Sequence, residues 1–336
     1  MPFTTLREDN LASFKTGIDL HTLPRTLQDA VYATKRLRVK YLWIDSLCII
    51  QGLGGDFREE VPKMGKYYGD ALVNLSALDA NHANVGFLGP RQPEPSTNLQ
   101  SGLHMRKARR PWSDILEDAP LAQRAWILQE RMIAPRILHF SKSEIFWECQ
   151  ATSAREGSSI IQSEDWNGES WKDESFKRSF ALDALIAENS NQPIEYVNNL
   201  VMNQWYRIVC QYSNLNLTVV SDVFPALAAI AQKFEQITDF SYVAGLWGQN
   251  LHRGLLWYAS NALSKKEYKD IAPLWSWASH GGPVAMLFPA NAEMRLAEAN
   301  AEIISLDATF GENEFMATSP WDESMVSFQC RRSRPL

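Results

Sequence analysis

Cysteine is scarce in this chain of 336 residues, which contains four. Cys48, Cys149, Cys210 and Cys330 are widely spaced, so no two of them form a CxxC pair. This spacing argues against a structural zinc site and against a disulfide scaffold, and it is typical of a reducing compartment. We therefore expect a protein with no metal site.

Long apolar runs are also missing. No stretch reaches the length that a membrane-spanning helix needs, and the opening residues MPFTTLREDNLASF contain no apolar signal core. The formal net charge of -6 implies no general attraction to nucleic acid or to an anionic membrane. The basic run RKARR at 106–110 is more simply explained as a solvated cluster in an acidic chain. The sequence predicts a cytoplasmic protein that binds neither nucleic acid nor membrane.

The common nucleotide and zinc fingerprints are absent as well, because GxGxxG, P-loop and HExxH patterns do not occur. Gly52, Gly54 and Gly55 lie between a predicted strand and a predicted helix, which is where a phosphate-cradling turn would stand. Their spacing matches no phosphate-binding fingerprint. We interpret this segment as a connecting loop.

The most informative segment that is present covers residues 23–51, LPRTLQDAVYATKRLRVKYLWIDSLCIIQ. Apolar residues at the helical period from Leu23 to Leu37 predict a helix, with Thr22 as its cap. The apolar residues of 41–50 show no clean alternation, which predicts a strand covered on both faces of a parallel sheet. This strand would carry a polar cluster consisting of Asp45, Ser46, Cys48 and Gln51.

The polar cluster has two interpretations. A carboxylate in a buried strand is costly unless it is paired or hydrogen-bonded, so Asp45 either caps the end of the strand or belongs to a site. A site is expected there because ligands gather at the carboxyl ends of strands in open α/β sheets. Cys48 would act as a nucleophile only with a base and a lowered pKa, and a buried structural cysteine is the simpler interpretation.

The residues that follow alternate between helical and strand patterns. A capping box of Asp56 and Glu59 would open a helix that Pro62 kinks. The further elements predicted up to residue 175 are a strand at 72–77, a surface loop at 89–101, a short helix at 123–132, a β-hairpin of 136–140 with 144–148, and a loop or boundary at 151–175. Beyond them we predict helices at 196–209 and 222–237, and short aromatic strands or buried loops at 242–247, 253–258 and 273–279.

Three blocks in this order resemble the fungal heterokaryon incompatibility (HET) domain. Residues 23–51 and PLAQRAWILQERMIAPRILHF at 120–140 are similar to its core signature. AGLWGQNLHRGLLWY and APLWSWAS, within 244–279, resemble the region that often follows it. Several long blocks in the right order are a specific signal. The resemblance implies a HET domain at 1–150, a C-terminal region at 151–336, and a role in fungal non-self recognition and programmed cell death.

The chain departs from the family pattern in three places. The strand of type Y-x-A-L-S-Y-x-W-G that usually opens the domain is not found before the first block, so we expect an N-terminally truncated domain. Gly52-Leu-Gly-Gly replaces the usual Asp-rich stretch. Ala125 replaces the glycine of the R-G-W-x-x-Q-E-R pattern, which should be benign within a helix.

HET domains have been likened to TIR domains, α/β signalling modules of which some cleave NAD at the nicotinamide–ribose bond. This likeness implies an α/β fold with a TIR-like parallel sheet flanked by helices, a β-hairpin and a mostly helical C-terminal region. Trp126 and Glu130 have the W-x-x-x-E spacing of TIR enzymes. Glu130 is therefore the candidate catalytic residue, with NAD as substrate and no cofactor. The candidate substrate-binding residues are Asp45, Cys48, Gln51 and Trp126.

Other hypotheses remain open. In one of them Glu130 is an ordinary helical carboxylate paired with Arg124 or Arg131, and Trp126 belongs to the core. In function, the chain is either an NAD-cleaving effector or a non-enzymatic signalling module that self-associates or binds a separate sensor protein. A third hypothesis is an inactive truncated copy. The fold alone does not decide between them.

Overall fold

The computed structural model describes residues 5–91, 96–98, 104–106, 110–156, 177, 181–261, 266–268, 271–287, 301–307 and 325–330. The chain divides into two compact units, Met1–Ala181 and Leu182–Leu336. The boundary at 150 that the resemblance implies stays a prediction. No helix in the described ranges has both the length and the apolar character needed to cross a membrane.

Helices make up the first part of the first unit. Their bounds are α1 (Leu11–Thr16), α2 (Arg25–Arg36), α3 (Asp45–Cys48), α4 (Phe57–Glu60), α5 (Met64–Gly69), α6 (Trp112–Asp118) and α7 (Trp126–Ile133). Helix α2 confirms the helix predicted from Leu23, and it buries Leu27 and Ala33 on its inner face. Its N-cap is Pro24 rather than Thr22. Helix α7 confirms the short helix predicted to carry Glu130.

A four-stranded mixed sheet lies in the first unit, in the order β1 (Asn74–Ala77), β4 (Arg136–Phe140), β5 (Ile145–Cys149) and β6 (Ser153–Arg155). Only the β1–β4 pair is parallel, so the predicted parallel sheet is corrected to a mixed one. The connection between β4 and β5 is too short for a parallel crossover. It is a tight turn in which Ser141 N–H donates to the Glu144 carbonyl at 3.1 Å. The predicted hairpin of 136–140 with 144–148 is confirmed.

A second short hairpin changes the prediction for residues 89–101. Strands β2 (Ser96–Asn98) and β3 (His104–Arg106) pair antiparallel, so this stretch is not loop throughout. Most of the loop predicted at 151–175 lies outside the described residues, as do three residues of the basic run at 106–110.

The strand predicted over residues 41–50 is wrong. Residues 41–44 join no ladder of the described part of the chain, and Asp45–Cys48 form the single helical turn α3. Local hydrogen bonds favour this turn: the Asp45 carboxylate accepts from Ser46 N–H at 2.7 Å, and the Ile44 carbonyl accepts from Cys48 N–H at 2.9 Å. Such side-chain-to-backbone bonds compete with strand pairing. Apolar composition alone did not reveal them.

The helix predicted after residue 56 is broken where Pro62 predicts a break. A 3₁₀ turn, Val61–Lys63, separates α4 from α5. Proline removes a backbone donor and clashes with the preceding turn, which explains the interruption. The predicted capping box is absent at this described position, since the Asp56 carboxylate instead accepts from Ile50 N–H at 2.6 Å.

The second unit combines helices with short antiparallel pairs. The helices are α8 (Leu182–Glu188), α9 (Ile194–Tyr212), α10 (Ala228–Thr238) and α11 (Leu251–Gly254). The strands are β7 (Tyr242–Val243), β8 (Leu246–Trp247), β9 (Trp257–Ala259), β10 (Val284–Met286), β11 (Ala301–Asp307) and β12 (Met325–Cys330), paired β7–β8, β9–β10 and β11–β12. The predicted helix at 196–209 is confirmed by α9. The one predicted at 222–237 begins as two 3₁₀ turns, Val220–Val223 and Pro225–Leu227.

Aromatic side chains form the core of the second unit. Trp205 packs edge-to-face on Trp247 with ring centroids 5.3 Å apart, and Phe234 lies 5.4 Å from Trp205. Trp277 is buried, and its indole donates to the Gly245 carbonyl at 2.9 Å. Packing with a hydrogen bond at the polar end is the arrangement that buried tryptophan favours. The interpretation of WSWAS as core residues is confirmed for Trp277.

Candidate functional site

Glu130 lies in the C-terminal half of α7, between the fully buried residues Gln129 and Arg131. Its own side chain is partly buried. Burial and, to a lesser extent, the nearby Asp45 carboxylate raise the pKa of this carboxyl to about 7, against the opposing effects of the Arg124 guanidinium and the Tyr68 hydroxyl. Glu130 is therefore a carboxyl that gains and loses its proton near neutral pH.

Asp45 is brought to Glu130 by a local turn. It is the first residue of α3 and is exposed to solvent. The negative charge of Asp45 disfavours ionisation of Glu130. The structure brings these two candidate residues together, although the predicted strand that would carry Asp45 does not form, and their role in a site stays a prediction.

Tyr68 is a site residue that sequence reasoning missed. Its hydroxyl hydrogen-bonds the Glu130 carboxyl, and its pKa lies well above the ordinary value through burial and the charges of Glu130 and Asp45. Tyr68 therefore stays protonated and able to donate at neutral pH. Its position on the apolar face of the predicted helix gave it the pattern of a core residue. Only the tertiary fold places its hydroxyl beside a carboxylate.

Aromatic rings surround these polar groups. Trp43 packs against Tyr68 with ring centroids 5.7 Å apart and against Tyr67 at 5.1 Å. Trp126 is partly buried, and its ring meets that of Phe57 edge-to-face at 6.3 Å. Aromatic side chains of this kind provide large apolar surface for flat ligands.

Cys48 and Gln51 contribute less than the other candidates. Cys48 is exposed, so the expectation of a buried cysteine is wrong. Partial desolvation and the Asp45 carboxylate raise the pKa of its thiol, which is the opposite of what a nucleophile needs. The Gln51 side chain donates to the Ile49 carbonyl at 3.0 Å, within its own loop. Their role in substrate binding stays a prediction.

Arg131 does not pair with Glu130. Its guanidinium forms two bonds to the carboxylate of Glu148 on β5, Nε–Oε2 at 2.8 Å and Nη2–Oε1 at 2.6 Å, and both side chains are buried. His139 Nε2 lies 3.1 Å from the same carboxylate. Burial alone would raise the pKa of Glu148, but Arg131 and His139 outweigh it and hold that pKa well below its usual range. Of the two pairings considered for Glu130, the one with Arg131 is therefore wrong. The one with Arg124 stays a hypothesis, because the Arg124 charge acts on Glu130 and lowers its pKa.

Lys177 completes this buried cluster. Its ammonium donates to the Arg131 carbonyl, in the last turn of α7. Burial lowers the pKa of Lys177, the Glu148 carboxylate opposes the decrease and Arg131 adds to it, and the resulting pKa is about 8. The cluster fixes α7 to the sheet through β5 and to Lys177. It therefore holds the helix from which Glu130 projects.

These features define what the site can do chemically. A carboxyl with a pKa near neutrality stabilises positive charge when ionised and exchanges a proton with water at physiological pH. The described residues contain no cluster of three His, Cys, Asp or Glu side chains able to hold a metal ion. The expectation of a metal-free site stays a prediction.

The residues of the candidate site lie in a segment that matches a known protein family. Residues 4–130 match the family model described as heterokaryon incompatibility protein (HET). The matched region includes Asp45, Tyr68 and Trp126 and ends at Glu130. No curated protein and no solved structure matched the chain.

Proposed function

We propose that this chain, which belongs to the heterokaryon incompatibility family through its HET domain at residues 4–130, is an effector that cleaves NAD. Family membership connects the chain with heterokaryon incompatibility. The observation that supports the enzymatic step is Glu130, a partly buried carboxyl with a pKa of about 7 beside Asp45 and Tyr68. Cleavage would deplete NAD and so commit the fungal cell to death.

The chemistry requires an ionised carboxylate. In NAD the bond between C1′ of the ribose and the ring nitrogen of nicotinamide breaks, and its electron pair leaves with neutral nicotinamide. Positive charge then develops on the ribose, and ionised Glu130 stabilises this oxocarbenium-like state. Water attacks C1′ and gives one proton to the carboxylate, which passes it to solvent. ADP-ribose and nicotinamide are the products.

The neighbouring residues have separate roles in this proposal. Tyr68 donates to Glu130 and so holds the carboxylate in one orientation. Asp45 is exposed and carries acceptors that suit ribose hydroxyls. Trp126 with Phe57 supplies a flat apolar surface against which nicotinamide can stack.

A second candidate function is assembly without catalysis. Three large apolar side chains at the end of α2 and just beyond it are exposed: Tyr32 at 57 %, Leu37 at 43 % and Tyr41 at 78 %. Exposed apolar patches mark surfaces that bind other proteins. A partner would be a second copy of the chain or a separate sensor protein.

One experiment separates the two functions. Purified chain is incubated with NAD over a range of protein concentrations, and nicotinamide release is followed by chromatography while light scattering reports the oligomeric state. NAD cleavage by folded protein supports the enzyme. Self-association without nicotinamide release, abolished by Tyr41→Lys and unaffected by Glu130→Gln, would overturn the enzymatic proposal in favour of assembly.

A further inference from the structure

The second unit contains a cavity of about 410 Å³. Its size falls within the range of small-molecule sites in proteins. Its walls come from the end of α9, the residues that follow it, and the segment after WSWAS. The lining residues that the structure describes all belong to the second unit.

The described lining carries no charged side chain. It combines two chemical types instead. Aromatic rings come from Tyr212, Tyr268 and Trp277, and side-chain amides come from Asn214, Asn216 and Asn261. Aromatic surface with a few polar groups is the usual composition of a small-molecule site.

Internal hydrogen bonds hold the aromatic part of the wall in place. The Tyr212 hydroxyl donates to the Val223 carbonyl at 2.9 Å, and the Trp277 indole donates to the Gly245 carbonyl at 2.9 Å. The two rings meet edge-to-face with centroids 5.9 Å apart. Because these polar ends are occupied within the protein, the rings of Tyr212 and Trp277, which are 2 % and 3 % exposed, form a rigid apolar backing to the cavity before any ligand arrives.

Gly281 keeps the opposite wall close to Tyr268. Its φ of +67° lies in the left-handed region, and a Cβ there would come within 2.2 Å of the Tyr268 ring. Only glycine allows this approach of ring and backbone.

The amides supply hydrogen-bonding groups of both kinds. Asn214 Nδ2 donates to the Cys210 carbonyl at 2.7 Å, which leaves Oδ1 as an acceptor. Asn261 Oδ1 faces His280 Nε2 at 3.4 Å, which leaves its NH₂ as a donor. Asn216 is exposed at the same wall. A donor and an acceptor close together complement hydroxyl groups, which both donate and accept.

We propose that this cavity binds an uncharged ring compound bearing several hydroxyl groups, either a neutral sugar or the ribose of an unphosphorylated nucleoside. The aromatic wall takes the ring, and the amides take the hydroxyls. Phosphorylated ligands are disfavoured, because the described lining offers none of the Arg or Lys side chains that phosphate recognition uses. The proposal is independent of the NAD-cleaving site.

The test uses the full chain and saturation-transfer NMR. The probes are glucose, N-acetylglucosamine and adenosine, with glucose 6-phosphate and AMP as charged counterparts. We expect at least one neutral probe to bind, and its phosphate to bind about tenfold more weakly or not at all. Binding by the two sugars alone, or by adenosine alone, identifies which source of the ring the cavity accepts.

Variants locate the binding. Asn261→Ala and Asn216→Ala should each weaken binding of the neutral probe about tenfold. Asn191→Ala, at an exposed asparagine of the same unit outside the lining, should leave it unchanged. Failure of all three neutral probes to bind folded protein at millimolar concentration would overturn the proposal. Equal binding of the phosphates, or binding that ignores both lining variants, would overturn it as well.

Discussion

The Asp45 carboxylate raises the pKa of Glu130, although the two residues belong to different helices of the HET domain. Burial of Glu130 contributes most of the increase, and Arg124 and Tyr68 oppose it. Three groups from separate segments, together with burial, therefore set the protonation of one carboxyl. Each of these groups can be substituted singly, and each substitution should shift the pKa of Glu130 in a defined direction.

Removing the charge of Asp45 should shift the pH dependence of NAD cleavage. Without the repulsion of Asp45, the pKa of Glu130 falls below about 7, so Asp45→Asn should reach half of its maximal rate at lower pH than wild type. The rate of nicotinamide release as a function of pH measures this midpoint. Arg124→Gln removes a lowering influence and should shift the midpoint upward. Equal midpoints in all three proteins would contradict the assigned electrostatics.

Tyr68 should act through the orientation and protonation of Glu130. Tyr68→Phe keeps the ring packed on Trp43 but removes the donor, so the pKa of Glu130 should rise. Loss of one positioned hydrogen bond should lower kcat about tenfold or more. The pH profile and the KM for NAD distinguish this role from a structural one, because the midpoint should move upward. An unchanged midpoint with a raised KM would show instead that Tyr68 binds substrate.

Glu130 should also make the folded protein less stable as the pH rises. Its folded pKa is raised to about 7 from the ordinary value of 4.5, so the unfolded chain ionises first as the pH rises. The folded state therefore loses stability between these two pKa values and stays at the lower level above about pH 7. The difference in the free energy of unfolding between wild type and Glu130→Gln, measured by thermal unfolding across this pH window, isolates the contribution of Glu130. A difference that does not vary with pH would contradict the raised pKa.

The buried pair of Arg131 and Glu148 should be sensitive to the loss of one partner. Arg131→Met leaves the Glu148 carboxylate buried and uncompensated, which should cost about 3–5 kcal/mol of unfolding free energy. Lys233→Met is the matched control, because Lys233 and Asp183 form a largely exposed pair whose loss should cost about 0–1 kcal/mol. Urea denaturation of the full chain compares the two. Equal costs would show that burial of the first pair has no energetic consequence.

Gly245 should tolerate no side chain. Its φ is +89°, and a Cβ would lie 2.6 Å from the Trp277 indole nitrogen. Gly245→Ala should therefore destabilise the second unit by about 1–3 kcal/mol. Gly248→Ala is the control, because the nearest atom to its Cβ would lie at an ordinary 3.7 Å. Tryptophan fluorescence during denaturation reports both variants, and equal stabilities would contradict the assigned close approach.

Much of the fold of the HET domain was predictable from local pattern. Spacing of apolar residues located α2 and α7, and two β-prone runs around Ser-Lys-Ser located the hairpin of β4 and β5. Sequence blocks identified the family, which the family model confirms. These signals succeed because each depends on residues that are near in sequence.

Other features depend on tertiary contacts, which local pattern does not encode. Residues 41–50 have the composition of a buried strand, yet hydrogen bonds around Asp45 turn this segment into α3. Tyr68 has a core pattern, but the fold brings its hydroxyl to Glu130. Arg131 finds Glu148 on a strand rather than Glu130 beside it. Tyr68 and Arg131 each find a partner in another element, whereas the bonds that form α3 are local but are not visible in the apolar composition of the segment.

The most direct test of the account compares nicotinamide release from NAD by wild type, Glu130→Gln and Glu188→Gln at about pH 8, where Glu130 is ionised. Glu188 is an exposed carboxylate in the second unit and serves as the matched control. Circular dichroism confirms that all three proteins are folded. The account predicts that wild type and Glu188→Gln release nicotinamide at equal rates and that Glu130→Gln is at least about a hundredfold slower. Equal rates in Glu130→Gln and wild type would contradict it.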